Sequence, residues 1–552
     1  MSKCYIKPKL FSVMKNYNGN QLVKDIIAGV IVAIIALPLS IALAIASGVE
    51  PSCGVYTAIA AGFVCAFLGG SRVQIAGPTA AFATIVAGIV AAKGMSGLML
   101  ATIMAGIILI LLGVCKMGSL IKFIPYTITT GFTAGIAVTI FIGQIKDFLG
   151  LTYAENAKPI ETLEKIEANI ESIGTFSWQA LIVGVVCLAV LIFYPKFEKR
   201  IPASLIAVIL GALMVKFIPG MDAGVYTIGD LYNIPKGLPT VSFDGIDLSL
   251  KNIASLLPDA FTIAILAAIE SLLSCVVADS MVNSRHNSNA ELVAQGAGNI
   301  ASVLFGGIPA TGAIARTAAN AKNGGRTPIA GMVHAVVLLL VILFLMPYAE
   351  LIPMPSIAAI LFVVAYNMSE RRKFLKLLKC APKSDIIVML ITFALTVFFD
   401  LVVAIEVGMV LAAMLFMKRM SDETAVTGWK YIDHENDPDS IDLREVPKNV
   451  RVYEISGPMF FGAADKILDI KLKDYTHCLI LRMRAVPALD ATAMNSLERV
   501  YEKCKRHGVI LILSHVNEQP LEVMKHSGFY DMVGSENFCD HIDEALSRGS
   551  KL

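Results

Sequence analysis

The sequence predicts a polytopic α-helical membrane protein that ends in a soluble α/β domain. The first observation is the composition: 56% of the 552 residues are hydrophobic and only 16% are charged, whereas a soluble protein carries about 25% charged residues. The second is the run of apolar segments from Leu22 to Met420, which only short polar stretches interrupt. The third is the return, after Lys418, to the composition of an ordinary soluble domain.

The apolar segments predict the transmembrane helices, because a helix needs about 20 apolar residues to cross the hydrocarbon layer. Ten segments predict full spans, at about 22–47, 53–69, 97–115, 124–145, 177–195, 201–217, 255–281, 326–347, 383–400 and 401–420. Four segments are shorter or interrupted, at about 76–92, 290–305, 310–321 and 355–369. We therefore expect fourteen segments within residues 22–420, with a cytoplasmic N-terminal segment at 1–21 and a linker at 421–447.

The charges between the segments predict the orientation, because cytoplasmic loops of membrane proteins are rich in lysine and arginine. With the N-terminus inside, the predicted cytoplasmic loops carry Lys116, Lys122, Lys196, Lys199, Arg200, Arg285, Lys322, Arg326, Arg371, Arg372, Lys373, Lys376, Lys379, Lys418 and Arg419. The two longest predicted outside loops carry Glu155, Glu161, Glu164, Glu167, Glu171, Asp222, Asp230, Asp244 and Asp247. This pattern predicts that both termini are cytoplasmic.

Two stretches of the chain share a pattern. Residues 67–83 read "FLGGSRVQIAGPTAAFA" and residues 304–321 read "LFGGIPATGAIARTAANA", so each has Gly-Gly, a linker of small residues and "TAA". They lie at matching places in two sets of seven segments, about 22–217 and 252–420, and an odd number makes the second set inverted. Interrupted segments in inverted repeats indicate a midplane binding site, here formed by half-helices 3 and 10. The alternative is chance recurrence in a chain rich in alanine and glycine.

The residues around these interruptions predict an anion site. A helix that starts in mid-membrane presents unpaired backbone N–H groups and the positive end of its dipole, and such a start binds anions. Arg316, set among small residues, adds a permanent positive charge. The predicted substrate-binding residues are Arg316, Gly77, Pro78, Thr79, Ala80, Thr311, Gly312, Ala313, Ala315 and Thr317. The alternative is that Arg316 only pairs with a buried carboxylate.

Glu270 is the candidate carboxylate, because it lies in the apolar eighth segment, "AILAAIESLLSCVVADS". An ionisable residue at such a position is a functional hypothesis by default. A permanent pair of Glu270 with Arg316 would be a structural brace. The other interpretation is that Glu270 takes up a proton and thereby couples anion uptake to protons.

The chain resembles the SulP family of anion transporters, the solute-carrier-26 type. The resemblance rests on "GGSRVQIAGPTAAFA", on "HNSNAELVAQGAGNI" from His286, on "ATGAIARTAANAKNGGRTPIAG", and on the C-terminal domain. It implies fourteen segments in two inverted repeats, a core domain that moves against a gate domain, and a cytoplasmic STAS domain. Members of the family are commonly homodimers that carry sulfate, bicarbonate, halides or dicarboxylates.

Within the family, three stretches most resemble the bacterial branch that takes up C4-dicarboxylates such as succinate, fumarate and aspartate. They are "AIESLLSCVVADSM", "ATGAIARTAAN" and "APKSDIIVML". The chain also resembles sodium-coupled bicarbonate members, in which an acidic residue of the eighth segment helps to bind sodium. We expect a proton-coupled dicarboxylate transporter, with sulfate or sodium-coupled bicarbonate transport as the alternative. Under that alternative Glu270 would be the Na⁺ position.

Residues 448–552 predict an α/β domain, because strand-like and amphipathic helix-like segments alternate. The domain resembles STAS, with "VPALDATAMNSL" at the loop where relatives often show Asp-Ser/Thr-Ser/Thr-Gly. Here Ala491 follows Asp490, so a phosphorylation switch is disfavoured and Thr492 is a weak regulatory candidate. The alternative is a structural domain that supports dimer assembly.

The sequence disfavours other classes of function. The net charge of +2 gives no case for nucleic-acid binding. The ten cysteines form no CxxC pair or Cys/His cluster, so we expect no cofactor and no metal. No nucleophile–base pair appears among the segments, which disfavours an enzyme. A membrane sensor that binds an anion and signals through the STAS domain is the competing class. The expected partners are a small anion, a proton or Na⁺, membrane lipid and a second copy of the chain in the cytoplasmic membrane.

Overall fold

A computed structural model describes residues 7–119, 125–154, 159, 161–197, 202–222, 224–232, 247–399, 401–428, 441, 444–473 and 475–552. The chain divides into two compact units, Met1–Met409 and Val410–Leu552. Several residues used to predict the orientation lie outside the described ranges: Lys122, Glu155, Lys199, Arg200 and Asp244. Most of the predicted linker also lies outside them, at 429–440 and 442–443.

The first unit is built from helices, and the last of them continues into the second unit. They are α1 (Lys9–Val13), α2 (Gly19–Ala46), α3 (Pro51–Leu68), α4 (Ala80–Val114), α5 (Tyr126–Gly143), α6 (Ile145–Leu149), α7 (Thr162–Glu171), α8 (Trp178–Phe197), α9 (Ala203–Phe217), α10 (Ile228–Leu231), α11 (Leu250–Val282), α12 (Ser288–Leu304), α13 (Ile314–Lys322), α14 (Ile329–Ala349), α15 (Met354–Met368), α16 (Arg371–Cys380), α17 (Lys383–Phe398) and α18 (Leu401–Glu423).

Most predicted segments coincide with a helix to within a few residues. The predicted segments 76–92 and 97–115 form one helical run, α4, which is broken at Gly94. The break has φ of 71°, a left-handed value that favours glycine. The first part of α4, from Ala80 to this break, is called half-helix 3 below, and α13 is called half-helix 10.

Helix length by itself supports fewer crossings than the sequence pattern predicts. Within the described residues, six helical stretches are long and apolar enough to span a membrane: Gly19–Ala46, Pro51–Leu68, Ala80–Val114, Tyr126–Leu149, Trp178–Phe197 and Leu250–Val282. Shorter apolar helices include Ala203–Phe217 and Ile329–Leu345. The number fourteen therefore stays a prediction.

The helices of the first unit pack in two groups. In one group α12 packs against α3 and α4, α14 packs against α2 and α3, and α11 packs against α4 and α13. In the other group α17 and α15 pack against α5, and α8 packs against α15 and α9. Both half-helices belong to the first group. Close packing there uses small residues: a Cβ at Gly106 of α4 would lie 2.8 Å from the carbonyl oxygen of Gly296 in α12.

Two short strands pair where the half-helices begin, and the place where they meet is called the crossing below. Strand β1 (Ala76–Gly77) pairs antiparallel with β2 (Thr311–Gly312), with Ala76 opposite Gly312 and Gly77 opposite Thr311. The two strands lie in the two stretches whose sequences share a pattern. The fold therefore brings the matching stretches of both halves into direct backbone contact.

The non-helical backbone around this crossing is satisfied by buried side chains, as membrane-buried backbone must be. Asn299 of α12 accepts a hydrogen bond from the backbone N–H of Ala310 and donates one to its carbonyl, both at 2.8 Å. The Thr57 hydroxyl of α3 accepts from the N–H of Ile308 at 2.7 Å. Asn320 of α13 donates to the carbonyl of Val73 at 2.9 Å. Each interrupted stretch is thus held by neighbouring helices.

The far ends of both half-helices are tied to the other half of the chain. Beyond half-helix 10, the backbone N–H of Arg326 donates to Asp25 Oδ1 of α2 at 2.9 Å, and the Thr327 hydroxyl donates to Oδ2 at 2.6 Å. At the end of half-helix 3, Lys93 Nζ lies 2.6 Å from Asp259 Oδ2 of α11. Asp25 and Asp259 thus occupy corresponding roles in the two halves.

The second unit contains a five-stranded sheet in the order β3-β4-β5-β6-β7. Its strands are β3 (Ala425–Gly428), β4 (Val450–Ser456), β5 (Cys478–Ala485), β6 (Ile510–Ser514) and β7 (Phe538–Cys539). Strands β3 and β4 are antiparallel and the other pairs are parallel. The helices are α19 (Ala491–Arg506), α20 (Glu518–His526), α21 (Phe529–Val533) and α22 (Ile542–Lys551).

The sheet is hydrophobic on both faces, which is why helices cover it. One buried cluster joins Leu479 and Leu481 of β5 to Leu497 of α19, and another joins Ile480 of β5 to Ile542 of α22. The predicted linker differs from the structure at its start: α18 extends to Glu423, and β3 follows as an edge strand because its residues pair with β4.

Candidate functional site

The candidate anion site lies where the two half-helices begin. Half-helix 3 starts after Thr79 and half-helix 10 after Ala313, and neither of these N-cap residues makes a side-chain capping hydrogen bond. Pairing of β1 with β2 sets the two starts beside each other. Two positive dipole ends therefore meet in the interior of the first unit.

Arg316 lies in the first turn of half-helix 10 and is almost completely buried, with 1% of its surface exposed. Its Nη2 donates to the carbonyl oxygen of Pro78 at 3.0 Å, which links the two half-helix starts. Within the described part of the chain, Nε and Nη1 of this side chain have no hydrogen-bond partner. Arg316 thus keeps donors that the protein itself does not use.

Gly77 makes room for this guanidinium. A Cβ at this position would lie 2.5 Å from Arg316 Nη1 and 3.5 Å from the Cα of Ala58 in α3. The first of these distances is too short for any carbon. A side chain at residue 77 would therefore displace Arg316 or the strand.

Glu270 of α11 faces the same crossing from the opposite side. Its Oε2 accepts hydrogen bonds from the Thr79 hydroxyl at 2.9 Å and the Thr311 hydroxyl at 3.1 Å. One hydroxyl comes from each of the two matching stretches. Glu270 and Thr79 are half-buried, whereas Thr311 is buried, so the carboxylate lies at the accessible edge of the site.

Glu270 and Arg316 do not pair. Among the residues that the structure describes, the ion pairs within 4.0 Å do not include these two side chains. Arg316 binds a backbone carbonyl and Glu270 binds two hydroxyls. The brace between them, the alternative drawn from the sequence, is therefore not formed in this structure.

The remaining predicted residues have different environments. Gly77, Pro78, Ala80, Gly312 and Ala313 are buried around the crossing, whereas Ala315 is exposed. The Thr317 hydroxyl is engaged within the protein: it accepts from the N–H of Ile75 at 3.0 Å and from Ser274 Oγ at 3.3 Å. This hydroxyl holds β1 against half-helix 10, a role that the sequence did not indicate.

Several buried polar residues at the crossing were not predicted as site residues: Gln74, Ser271, Glu291, Asn299 and Asn320. The signal that could have found them is their polarity within otherwise apolar segments. Ser271 contacts the site directly, since its hydroxyl accepts from the N–H of Gly312 at 2.9 Å. These residues shape the backbone on which the predicted site is built.

In the second unit, Asp490, which precedes Thr492 by two residues, has a structural role. Asp490 caps α19, because Oδ1 accepts from the N–H of Ala493 at 2.8 Å, and Oδ2 accepts from the N–H of Phe461 at 2.9 Å. Thr492 is exposed in the first turn of α19. Its regulatory role stays a prediction.

Comparison with known proteins places these features in a family. The model of the sulfate permease family matches residues 22–392, and the STAS domain model matches residues 441–545. The chain belongs to the sulfate permease family. It is therefore a multi-pass membrane protein of an anion-transporter family with a C-terminal STAS domain, and the predicted fold class is confirmed.

Named members of the sulfate permease family resemble the chain over most of its length. A putative sulfate transporter of Bacillus subtilis, YvdB, is 41% identical over 540 residues, which cover 96% of this chain and 98% of the relative. The bicarbonate transporter BicA of Picosynechococcus is 33% identical over 502 residues, 87% of this chain and 86% of the relative. These relatives are transporters rather than enzymes.

The solved structure of an anion transporter shows the same fold. The murine Solute Carrier 26 family member A9 anion transporter, in its inward-facing state, superposes with a TM-score of 0.88 at 18% identity. The match covers 99% of this chain and 94% of that chain. At this identity the likeness is one of fold. The relatives named above are sulfate and bicarbonate transporters, so they do not support the predicted resemblance to the C4-dicarboxylate branch.

Proposed function

We propose that this protein is a secondary active transporter of a small inorganic oxyanion, sulfate or bicarbonate, in the cytoplasmic membrane. The observation that carries the proposal is the crossing of β1 and β2, which joins two uncapped helix starts to a buried arginine. The Nε and Nη1 groups of Arg316 have no partner among the described residues. Helix starts and a guanidinium are both suited to bind an oxyanion.

The cargo is proposed from the relatives together with the site. The most similar relatives described above are named as sulfate and bicarbonate transporters. A C4-dicarboxylate carries two separated carboxylates, and Arg316 is the one basic side chain among the predicted binding residues. A compact oxyanion fits a single guanidinium between two helix starts better than an extended dianion does.

Glu270 is proposed as the coupling residue. Its carboxylate lies across the crossing from Arg316 and is bound by two hydroxyls that belong to the two halves of the chain. Uptake of a proton by this carboxylate would remove one negative charge beside the anion. Binding of Na⁺ by the same oxygens would have the same electrostatic effect. The uptake experiment below distinguishes the two cations, because it varies the proton gradient and replaces sodium by choline.

Orientation and assembly complete the proposal. We infer cytoplasmic termini from the distribution of lysine and arginine between the segments, and a homodimer from the family resemblance. The STAS domain is then cytoplasmic, where it supports assembly or regulation.

The test is uptake by proteoliposomes that contain the purified protein. Labelled sulfate, bicarbonate and fumarate are offered with and without an inward proton gradient, and with sodium replaced by choline. We expect accumulation of sulfate or bicarbonate. Fumarate accumulation without either inorganic anion would overturn the proposed cargo. Binding without any flux would instead favour the sensor.

Arg316→Ala tests the assignment of the site. Removal of the guanidinium should abolish anion binding while the protein stays folded, because the Arg316 side chain makes one hydrogen bond within the described residues, to Pro78. The readout is anion-dependent stabilisation in thermal unfolding of the detergent-purified protein. Arg326→Ala is the control, since that side chain binds the carbonyls of Ala321 and Gly325, away from the crossing. Unchanged affinity of Arg316→Ala for each anion would remove Arg316 from the site.

A further inference from the structure

Glu291 of α12 is a buried carboxylate outside the predicted anion site. It has no exposed surface. Its Oε2 accepts from the backbone N–H groups of Gly70 at 2.9 Å and Ser71 at 3.2 Å. Its Oε1 accepts from Gln74 Nε2 at 3.0 Å and Gln295 Nε2 at 2.9 Å. Four donors therefore face one carboxylate, which matches the number of acceptor positions of its ionised form.

These donors are neutral. In the described part of the chain, no lysine, arginine or histidine lies within ion-pair distance of Glu291. A buried charge without a counter-ion is costly unless hydrogen bonds compensate it. Here three of the four donors come from the stretch that leads into β1, so the position of that stretch and the charge of Glu291 depend on each other.

Gln74 carries this dependence to the crossing. Its Nε2 also donates to the carbonyl of Ser271 at 3.2 Å, and its Oε1 accepts from Cys275 Sγ at 2.8 Å, so it joins α12 to α11. Gln74 directly precedes Ile75, whose carbonyl accepts from the N–H of Ala313 at 2.8 Å. The amide also packs against Gly312, where a Cβ would clash with it.

We propose that Glu291 is a positioning residue for anion binding. Through Gln74 it sets the place of β1 relative to β2, and thereby the distance between the two half-helix starts. Glu291 does not touch the anion in this proposal. The inference rests on the proposed function, because it assumes that the anion binds between those starts.

The experiment compares four variants in proteoliposome uptake of labelled sulfate and bicarbonate: Glu291→Gln, Gln74→Met, the two together, and Gln295→Met. In Glu291→Gln an NH₂ group replaces one carboxylate oxygen and cannot accept a hydrogen bond. Either the bond from Gln74 or the bonds from the N–H groups of Gly70 and Ser71 are then lost. We expect KM to rise roughly tenfold or more in Glu291→Gln and in Gln74→Met, because hydrogen bonds to a charged group are strong. The maximal rate per folded transporter should stay near that of the wild type.

The double variant and the control separate positioning from stability. Both substitutions break the same connection, which runs from Glu291 through Gln74 to β1. The KM of the double variant should therefore be no higher than that of either single variant. Gln295 donates to the same carboxylate but does not reach β1, so Gln295→Met should change the KM less than Gln74→Met does. A lower maximal rate with unchanged KM, additive effects in the double variant, or an equal effect of Gln295→Met would overturn the proposal.

The wild type distinguishes this inference from the proposed function. If the wild type shows neither uptake nor anion-dependent thermal stabilisation, the proposed function and this inference fall together. If the wild type responds to the anion and Glu291→Gln keeps its KM, only the positioning role falls.

Discussion

At the scale of single residues, the candidate site depends on which hydrogen-bonding groups of its polar side chains remain available for an anion. One side-chain nitrogen of Arg316 donates to the carbonyl of Pro78, and the other two have no hydrogen-bond partner in the described ranges. Glu270 accepts from Thr79 and Thr311, hydroxyls that could otherwise face an anion. Protonation or cation binding at Glu270 would change the hydrogen bonds of these hydroxyls, which connects the proposed coupling residue to the candidate anion site.

Gly77→Ala tests the space around Arg316. The added methyl would lie 2.5 Å from Arg316 Nη1, so the guanidinium or β1 must shift. We expect the KM for the anion to rise about tenfold, which corresponds to about 1.4 kcal/mol. Gly88→Ala is the matched control, because nothing lies within 4 Å of a Cβ there. Similar KM values for the two variants in the uptake assay would show that Arg316 has room to spare.

Glu270→Gln tests the coupling. The amide oxygen can still accept from the Thr79 and Thr311 hydroxyls, so the fold should be retained, whereas the charge can no longer change with pH. We expect uptake to continue with a flat pH profile and without accumulation against a gradient. Asp279→Asn on the same helix is the control, because its carboxylate binds His286 rather than the crossing. A wild-type pH response together with wild-type accumulation in Glu270→Gln would exclude Glu270 from coupling.

At the scale of elements, the two half-helices are held in the same manner at different strengths. Asp25 is buried and accepts from Tyr17, Gln21, Arg326 and Thr327. The corresponding pair at the other half-helix, Lys93 and Asp259, has side chains that are 32% and 26% exposed. The end of half-helix 10 is therefore tied to a buried carboxylate by the hydrogen bonds of Arg326 and Thr327. The end of half-helix 3 is tied by a solvent-accessible ion pair and by the hydrogen bond of Lys93 to the carbonyl of Ser255.

The two tethers should differ in their effect on stability. Asp25→Ala leaves four donors without their acceptor and should cost about 2 kcal/mol or more. Asp259→Ala should cost about 1 kcal/mol or less, because exposed ion pairs contribute little, and Lys93 keeps its hydrogen bond to the carbonyl of Ser255. The measurement is the apparent midpoint of thermal unfolding in detergent. Equal shifts of the two variants would show that the tethers are equivalent.

At the scale of the whole molecule, the predicted inverted repeat would place the two tethers on opposite faces of the membrane. In the predicted orientation, half-helix 3 ends outside and half-helix 10 ends inside, so their tethers lie on opposite faces of the membrane. Asp25 begins the first predicted segment and Asp259 lies near the start of the eighth, which enters from the other side. The contacts between the two halves are consistent with that orientation, which itself stays a prediction.

Native cysteines can test the orientation. Cys115 and Cys380 are exposed at the ends of α4 and α16, and both lie in predicted cytoplasmic loops. A membrane-impermeant maleimide should label them in inside-out vesicles but not in intact cells. Glu167→Cys, at an exposed position of α7, is the control and should be labelled from outside. Labelling of Cys115 and Cys380 from outside would reverse the predicted orientation.

The sequence by itself determined the class of fold and predicted where the candidate site lies. Apolar segment lengths, the soluble composition after Lys418 and the two matching stretches are local or periodic signals, which physical chemistry ties directly to membrane helices and interrupted segments. They predicted Arg316, Glu270, Gly77, Thr311 and Gly312 as candidate site residues, and the structure brings these residues together.

The tertiary structure decided which buried polar groups bind each other. The sequence offered a choice between a pair of Arg316 with Glu270 and two independent groups, and the packing of α11 against β2 produced the latter. The roles of Gln74, Asp25 and Glu291 depend on partners roughly 200 to 300 residues away in the chain. Such contacts leave no periodic trace in the sequence, because they arise only when two inverted halves fold against each other.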